Sequence, residues 1–128
     1  MKNFEKRLPD AELEIMKAIW HSTCPISTSE VKKKIDEETD NGWTLQTLQT
    51  LLNRLIAKEY LEKDKRGKEY IYTPLVEEKA YVEYESEQFL KKIHGNSVVS
   101  FMKALFDGKK ISDEDIAELE KILRDRKE

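Results

Sequence analysis

Between Thr44 and Lys58 the chain reads TLQTLQTLLNRLIAK, and its polar positions include Thr44, Gln46, Thr47, Thr50, Asn53 and Arg54. No carboxylate occurs from Asn41 to Lys58, although the protein has 26 acidic residues among 128. Hydroxyls, amides and a guanidinium in this arrangement suit hydrogen bonding to base edges. Arginine pairs with guanine, asparagine or glutamine with adenine, and a threonine methyl meets the thymine methyl. A carboxylate on the same face would be repelled by phosphates. A solvated helix face would accept these residues too, although such faces more often use Glu and Lys, since Thr is a modest helix former. Composition alone leaves both readings open.

Other chemistry is sparse. His21, His94 and Cys24 are the only soft ligands, and a zinc site needs three or four that cluster. His21 and Cys24 flank one turn, and His94 lies far along the sequence. No Ser/His/Asp or Cys/His arrangement stands out. The glycines 42, 67, 95 and 108 all fall at expected breaks, so none forms a phosphate-cradling loop. The expectation is a protein that is not an enzyme, with no cofactor and no metal. One cysteine excludes an internal disulfide and fits a reducing compartment. Met1–Leu8 is polar and charged, and no apolar run approaches the ~20 residues of a membrane span. The expected setting is the cytoplasm.

The net charge of −3 gives no global attraction to a polyanion, so any nucleic-acid site must be local. Residues 1–75 hold 13 basic and 13 acidic side chains; residues 76–128 hold 10 and 13. The first half is thus the better candidate for meeting phosphate.

The elements that must carry the polar face follow from periodicity. Asp10 can cap a helix to about Trp20, with Leu13, Met16, Ile19 and Trp20 as its apolar stripe. Ser27-Thr28-Ser29-Glu30 has the pattern of a capping box, opening a helix that turns Val31 and Ile35 inward. Thr44 can cap a third helix, 44–58, roughly 22 Å long, whose buried side is Leu45, Leu48, Leu51, Leu52, Leu55 and Ile56. Tyr60–Asp64 and Glu69–Thr73 are β-prone and flank the basic turn Lys65-Arg66-Gly67-Lys68. Three helices and then a hairpin is the order of a winged helix-turn-helix, spanning 7–75, with Thr28 and Ser29, at the start of its second helix, as further expected DNA contacts and Lys65, Arg66 and Lys68 on its wing. The wing cations would meet backbone phosphate or the minor groove, setting orientation rather than sequence.

Residues 76–128 read as helices at about 77–94, 96–107 and 112–126. The fold class is mainly α with a small β-hairpin wing: an N-terminal winged helix plus a C-terminal helical region. That region carries Tyr84, Phe89, Ile93, Val98, Phe101, Met102, Leu105, Ile116, Leu119 and Leu123. It has no sheet to cover, so these side chains are expected to pair with their copies in a homodimer. Two recognition helices would then meet half-sites a whole number of turns apart, about 34 Å or a multiple.

LPDAELEIMKAIW and GWTLQTLQTLLNRLIAKEYLEKDKRGKEYIYTPL resemble the penicillinase-repressor family (BlaI/MecI-like), over roughly residues 7–126. The resemblance rests on Trp43, Thr44, Thr47, Thr50, Leu51, Arg54 and Leu55, and on Tyr70, Tyr72 and Pro74. It implies a dimeric winged-helix repressor on a palindromic operator, with Thr44, Gln46, Thr47, Thr50 and Arg54 at the groove and Arg66 and Lys68 on the wing. It also implies release by a membrane sensor-protease that cuts an Asn-Phe bond in the helix before the last. That stretch here is Phe101–Asp107 and holds no such bond; the pair Asn3-Phe4 lies at the opposite end of the chain. The Cys-x-Cys pairs of a copper-responsive branch are also absent. Two further readings stay open: a winged helix that docks a protein through 44–58, which an apolar patch would favour, and a regulator that activates rather than represses.

Overall fold

The structure is a computed structural model and describes residues 7–127. Helix α1, Asp10–Trp20, is N-capped by Pro9, with no side-chain cap bond. Asp10 therefore sits inside the first turn beside Glu12, favourable to the helix dipole, rather than capping as expected. The buried side is Glu12, Ile15, Met16, Ala18 and Ile19. It is rotated from the expected stripe, so Leu13 and Trp20 lie at its edge, half-buried against the core. Trp20 stays there because its indole N–H donates to the Val76 carbonyl at 2.9 Å.

A two-residue strand, β1 (Ile26–Ser27), leads into α2 (Thr28–Glu38). The capping box is present: Ser27 Oγ accepts from the Glu30 N–H, and the Glu30 carboxylate accepts from the Ser27 N–H. Helix α3, Leu45–Ala57, is capped by Thr44, whose Oγ1 accepts from the Thr47 N–H at 3.1 Å. Leu48, Leu51, Leu52 and Leu55 are buried. Leu45 departs from the expected buried face, with 49% of its surface open. The α3 core begins at Leu48, and Leu45, in the first turn, extends past it.

Strands β2 (Leu61–Arg66) and β3 (Glu69–Pro74) form the hairpin, and β1 pairs with the other edge of β3, giving the antiparallel order β1-β3-β2. Arg66 pairs with Glu69, so the turn is Gly67-Lys68. Gly67 has φ +65° at the first central position, where a two-residue hairpin turn needs glycine. The core joins Leu8, Ile15, Met16, Ile19, Val31, Ile35, the α3 leucines, Leu61 and Tyr72.

Helix α4, Glu78–His94, is followed by α5 (Val98–Asp107) and α6 (Asp113–Lys127). The chain divides into two units between Glu85 and Ser86, inside α4 and ten residues beyond the expected boundary at 75/76. The reason is Tyr81, buried to 1% in the first unit, where its hydroxyl accepts from the Leu8 N–H at 2.8 Å. Its ring lies 5.9 Å from that of Trp20 and 5.8 Å from that of Tyr60. In the second unit α5 starts at Ser97, whose Oγ accepts from the Ser100 N–H, and Ser112 serves α6 in the same way through Asp115. No described residue of α5 or α6 is buried.

Candidate nucleic-acid interface

The inward leucines of α3 fix which side chains face out. Gln46, Thr47, Gln49, Thr50, Asn53 and Arg54 are all exposed. Thr44 is exposed as well, but its hydroxyl is committed to the cap and donates to Thr47 Oγ1 at 3.1 Å. Thr50 donates its proton to the Gln46 carbonyl at 3.0 Å. Outward it offers lone pairs and a methyl, the equipment for a thymine methyl or a donor edge. Gln46, Gln49, Asn53 and Arg54 keep side chains that join no hydrogen bond or ion pair among the described residues. Gln49 adds an amide that the sequence reading omitted; its spacing of three from Gln46 was the available signal. The C-terminal end of α3 is tied to α1 by the Lys58 ammonium on the buried Glu12 carboxylate.

Ser29, at the start of α2, is exposed, and its N–H donates to Glu69 Oε1 at 3.3 Å. Thr28 is a correction: it is buried, with its hydroxyl 3.1 Å from the Tyr72 hydroxyl. A strand 44 positions away takes this side chain inward.

On the wing Lys65, Arg66 and Lys68 are exposed, as is Lys63. Lys63 faces Tyr72 across the ladder and Lys65 faces Tyr70. Both ammonium groups lie over the Tyr70 ring, at 4.4 Å and 5.3 Å from its centre. The alternate positions are Glu62, Asp64, Arg66 and Glu69, and directly paired residues share a face. The wing is thus cationic and aromatic on one side and mixed, mostly acidic, on the other.

The second unit exposes apolar side chains instead. Phe89, Ile93, Val98, Leu119 and Leu123 are exposed, while Phe101, Met102, Leu105 and Ile116 are half-buried. The Phe89 and Phe101 rings meet edge-on at 5.5 Å, with the His94 ring 5.1 Å from that of Phe101. Met102, Leu105, Ile111, Leu119 and Ile122 line an open groove of about 300 Å³. Tyr84 is not part of this set: it packs on the first unit's core, 6.4 Å from Tyr81.

Burial raises the pKa of the Cys24 thiol, which makes it a poor nucleophile. His21 contacts Glu78 at 2.8 Å, and His94 contacts Ser100 at 2.9 Å. Among the described residues no three His, Cys, Asp or Glu side chains could hold a metal together. No described helix is long and apolar enough to cross a membrane.

Comparison with known proteins matches residues 8–125 to the penicillinase repressor family. The penicillinase repressor of Bacillus licheniformis is 38% identical over 126 residues, covering 95% of each chain. The methicillin resistance regulatory protein MecI of Staphylococcus aureus is 28% identical over 123 residues, covering 96% of this chain and 98% of its own. The solution structure of the DNA binding domain of the repressor BlaI superposes with a TM-score of 0.53 at 41% identity, covering 63% of this chain and 94% of that domain.

Proposed function

The chain belongs to the penicillinase repressor family, and from that premise we propose that it is a sequence-specific DNA-binding repressor, acting in the cytoplasm as a homodimer on a palindromic operator. Helix α3 enters the major groove, and the wing holds the flanking backbone. The observation that carries this reading is the exposed face of α3: three uncommitted amides and one guanidinium, with no carboxylate until Glu59. The apolar surface of α5 and α6 supports the dimer, because identical faces can cover each other about a two-fold axis. A protein-docking role for α3 would call for an apolar exposed patch, and Leu45 is the one large apolar side chain on its open surface.

Release by a sensor protease is not part of the proposal. Helix α5 holds no Asn-Phe bond, and Asn3-Phe4 lies outside the described residues.

The test is binding of the full chain to a fragment of its own promoter, titrated against salt. Specific binding whose log affinity falls linearly with log salt is the expected result. Equal affinity for random DNA would refute the reading. Arg54→Ala should weaken promoter binding by about 1–3 kcal/mol and relax preference at one base position. An unchanged affinity would remove Arg54 from the readout.

A further inference from the structure

We propose that the wing meets the DNA backbone with one face only, the Tyr70 face bearing Lys63 and Lys65, and turns the Arg66 face away. This rests on the repressor reading and deepens it: the sequence points to Lys65, Arg66 and Lys68 without distinguishing them, and the family resemblance to Arg66 and Lys68.

The strand register sorts the charges. Lys63, Lys65 and Tyr70 share one face, whose base is closed by the buried Tyr72; Glu62, Asp64, Arg66 and Glu69 share the other. No carboxylate belongs to the first. On the second, Arg66 is paired across the ladder with Glu69, and it also stands close enough to Glu30 to favour that carboxylate's charged form. Acids of its own subunit thus stand beside it, although it forms no ion pair among the described residues. A phosphate approaching that side would meet three carboxylates for one guanidinium.

The Tyr70 face is also pre-ordered. Both lysine ammonium groups rest over one aromatic ring, which limits the side-chain freedom lost when a phosphate binds. Tyr70 itself is 40% exposed, and a phenol hydroxyl there can donate to a phosphodiester oxygen. The ligand is therefore the sugar-phosphate backbone beside the groove that α3 reads. Lys68, at the second turn position, belongs to neither strand face.

The experiment measures promoter affinity of the full chain across a salt series, for the wild type, Lys63→Gln, Lys65→Gln and Arg66→Gln. Each phosphate contact contributes about 0.9 to the slope of log affinity on log salt. Lys63→Gln and Lys65→Gln should each lower the slope by about that amount, and Arg66→Gln should leave it unchanged. Glu62→Gln and Asp64→Asn should leave affinity within about twofold, since those side chains face away. All five positions are exposed, so unaltered thermal unfolding will confirm that each variant folds. A slope lowered by Arg66→Gln but by neither lysine variant would overturn the face assignment, as would a gain above about tenfold from removing the acids. A wild type that does not prefer its promoter would sink the repressor reading itself, and the face assignment with it.

Discussion

Glu12 keeps only 2% of its surface open and yet carries a carboxylate. Its counter-ion is Lys58, the C-cap residue of α3, so the pair ties the end of that helix to α1. Lys58→Met would strand the charge. Removing one partner of a fully buried pair costs about 3–5 kcal/mol. Because Lys58 is itself 41% exposed, the expected loss is nearer ~2 kcal/mol, read by urea denaturation. The double variant Glu12→Gln, Lys58→Met should recover part of it; no recovery would show that the pair is not the source.

Leu45 and Leu48 make a sharper contrast on one helix. Leu48 is fully buried, so Leu48→Ala should cost about 3 kcal/mol through lost burial and a residual cavity. Leu45→Ala should cost under ~1 kcal/mol, as for most surface positions. Equal losses would mean that Leu45 is covered in solution. The pair also shows what periodicity conveys at this scale. The 3.6-residue repeat identified the inward side of α3, and with it the outward amides and Arg54. It could not say where the core stops, which is why Leu45 was read as buried. Thr28 was misread for a related reason: the partner that draws it inward, Tyr72, is distant in sequence.

Among the elements, α2 shows the tightest link between a short sequence pattern and its geometry. Four residues, Ser27 to Glu30, specify the reciprocal bonds of its first turn. Ser27→Ala should destabilise the protein by about 1 kcal/mol. The backbone and side-chain hydrogen bonds from Ser27, aided by Arg66, hold the Glu30 carboxyl below its usual pKa. A depressed carboxylate contributes stability above its unfolded-state pKa and loses it as pH falls through the folded-state value. Ser27→Ala keeps the backbone N–H, the larger cause, and removes only the hydroxyl, so the Glu30 pKa, followed by NMR titration, should move only part of the way up toward the ordinary carboxylate value, and the acid side of the stability profile should flatten slightly. The hairpin was as legible as the capping box, because Gly67 and the alternating Tyr70 and Tyr72 mark both the turn and the strand period. Strand β1 was not, since two residues have no period. Nor was the reach of the first unit into α4: that depends on Tyr81 meeting Leu8, Trp20 and Tyr60, contacts that no local pattern encodes.

For the whole molecule, the contrast between the two units decides how binding strength is built. The first unit closes its own core, with 17 hydrophobic residues buried among those described. In the second, Leu123 is 61% exposed, Val99 64% and Val98 60%, and no described residue of α5 or α6 is buried. Apolar surface left open in this way is a binding surface or an aggregation hazard. If a second copy covers it, each α3 alone can bind only a half-site, and linking two of them through the second units makes the second binding event intramolecular. Such linkage raises overall affinity by roughly 10²–10⁴ without any new contact to DNA. Leu123→Glu tests this, because a side chain already open in the single chain can be made charged without disturbing a core. Sedimentation should show the wild type as a dimer and the variant as a monomer at the same concentration. Affinity for a full palindrome should fall by that linkage factor, while affinity for an isolated half-site stays the same. A variant that remains dimeric would place the subunit contact elsewhere. A monomer that still held the full palindrome at wild-type strength would show that each copy binds alone and that pairing adds nothing to recognition.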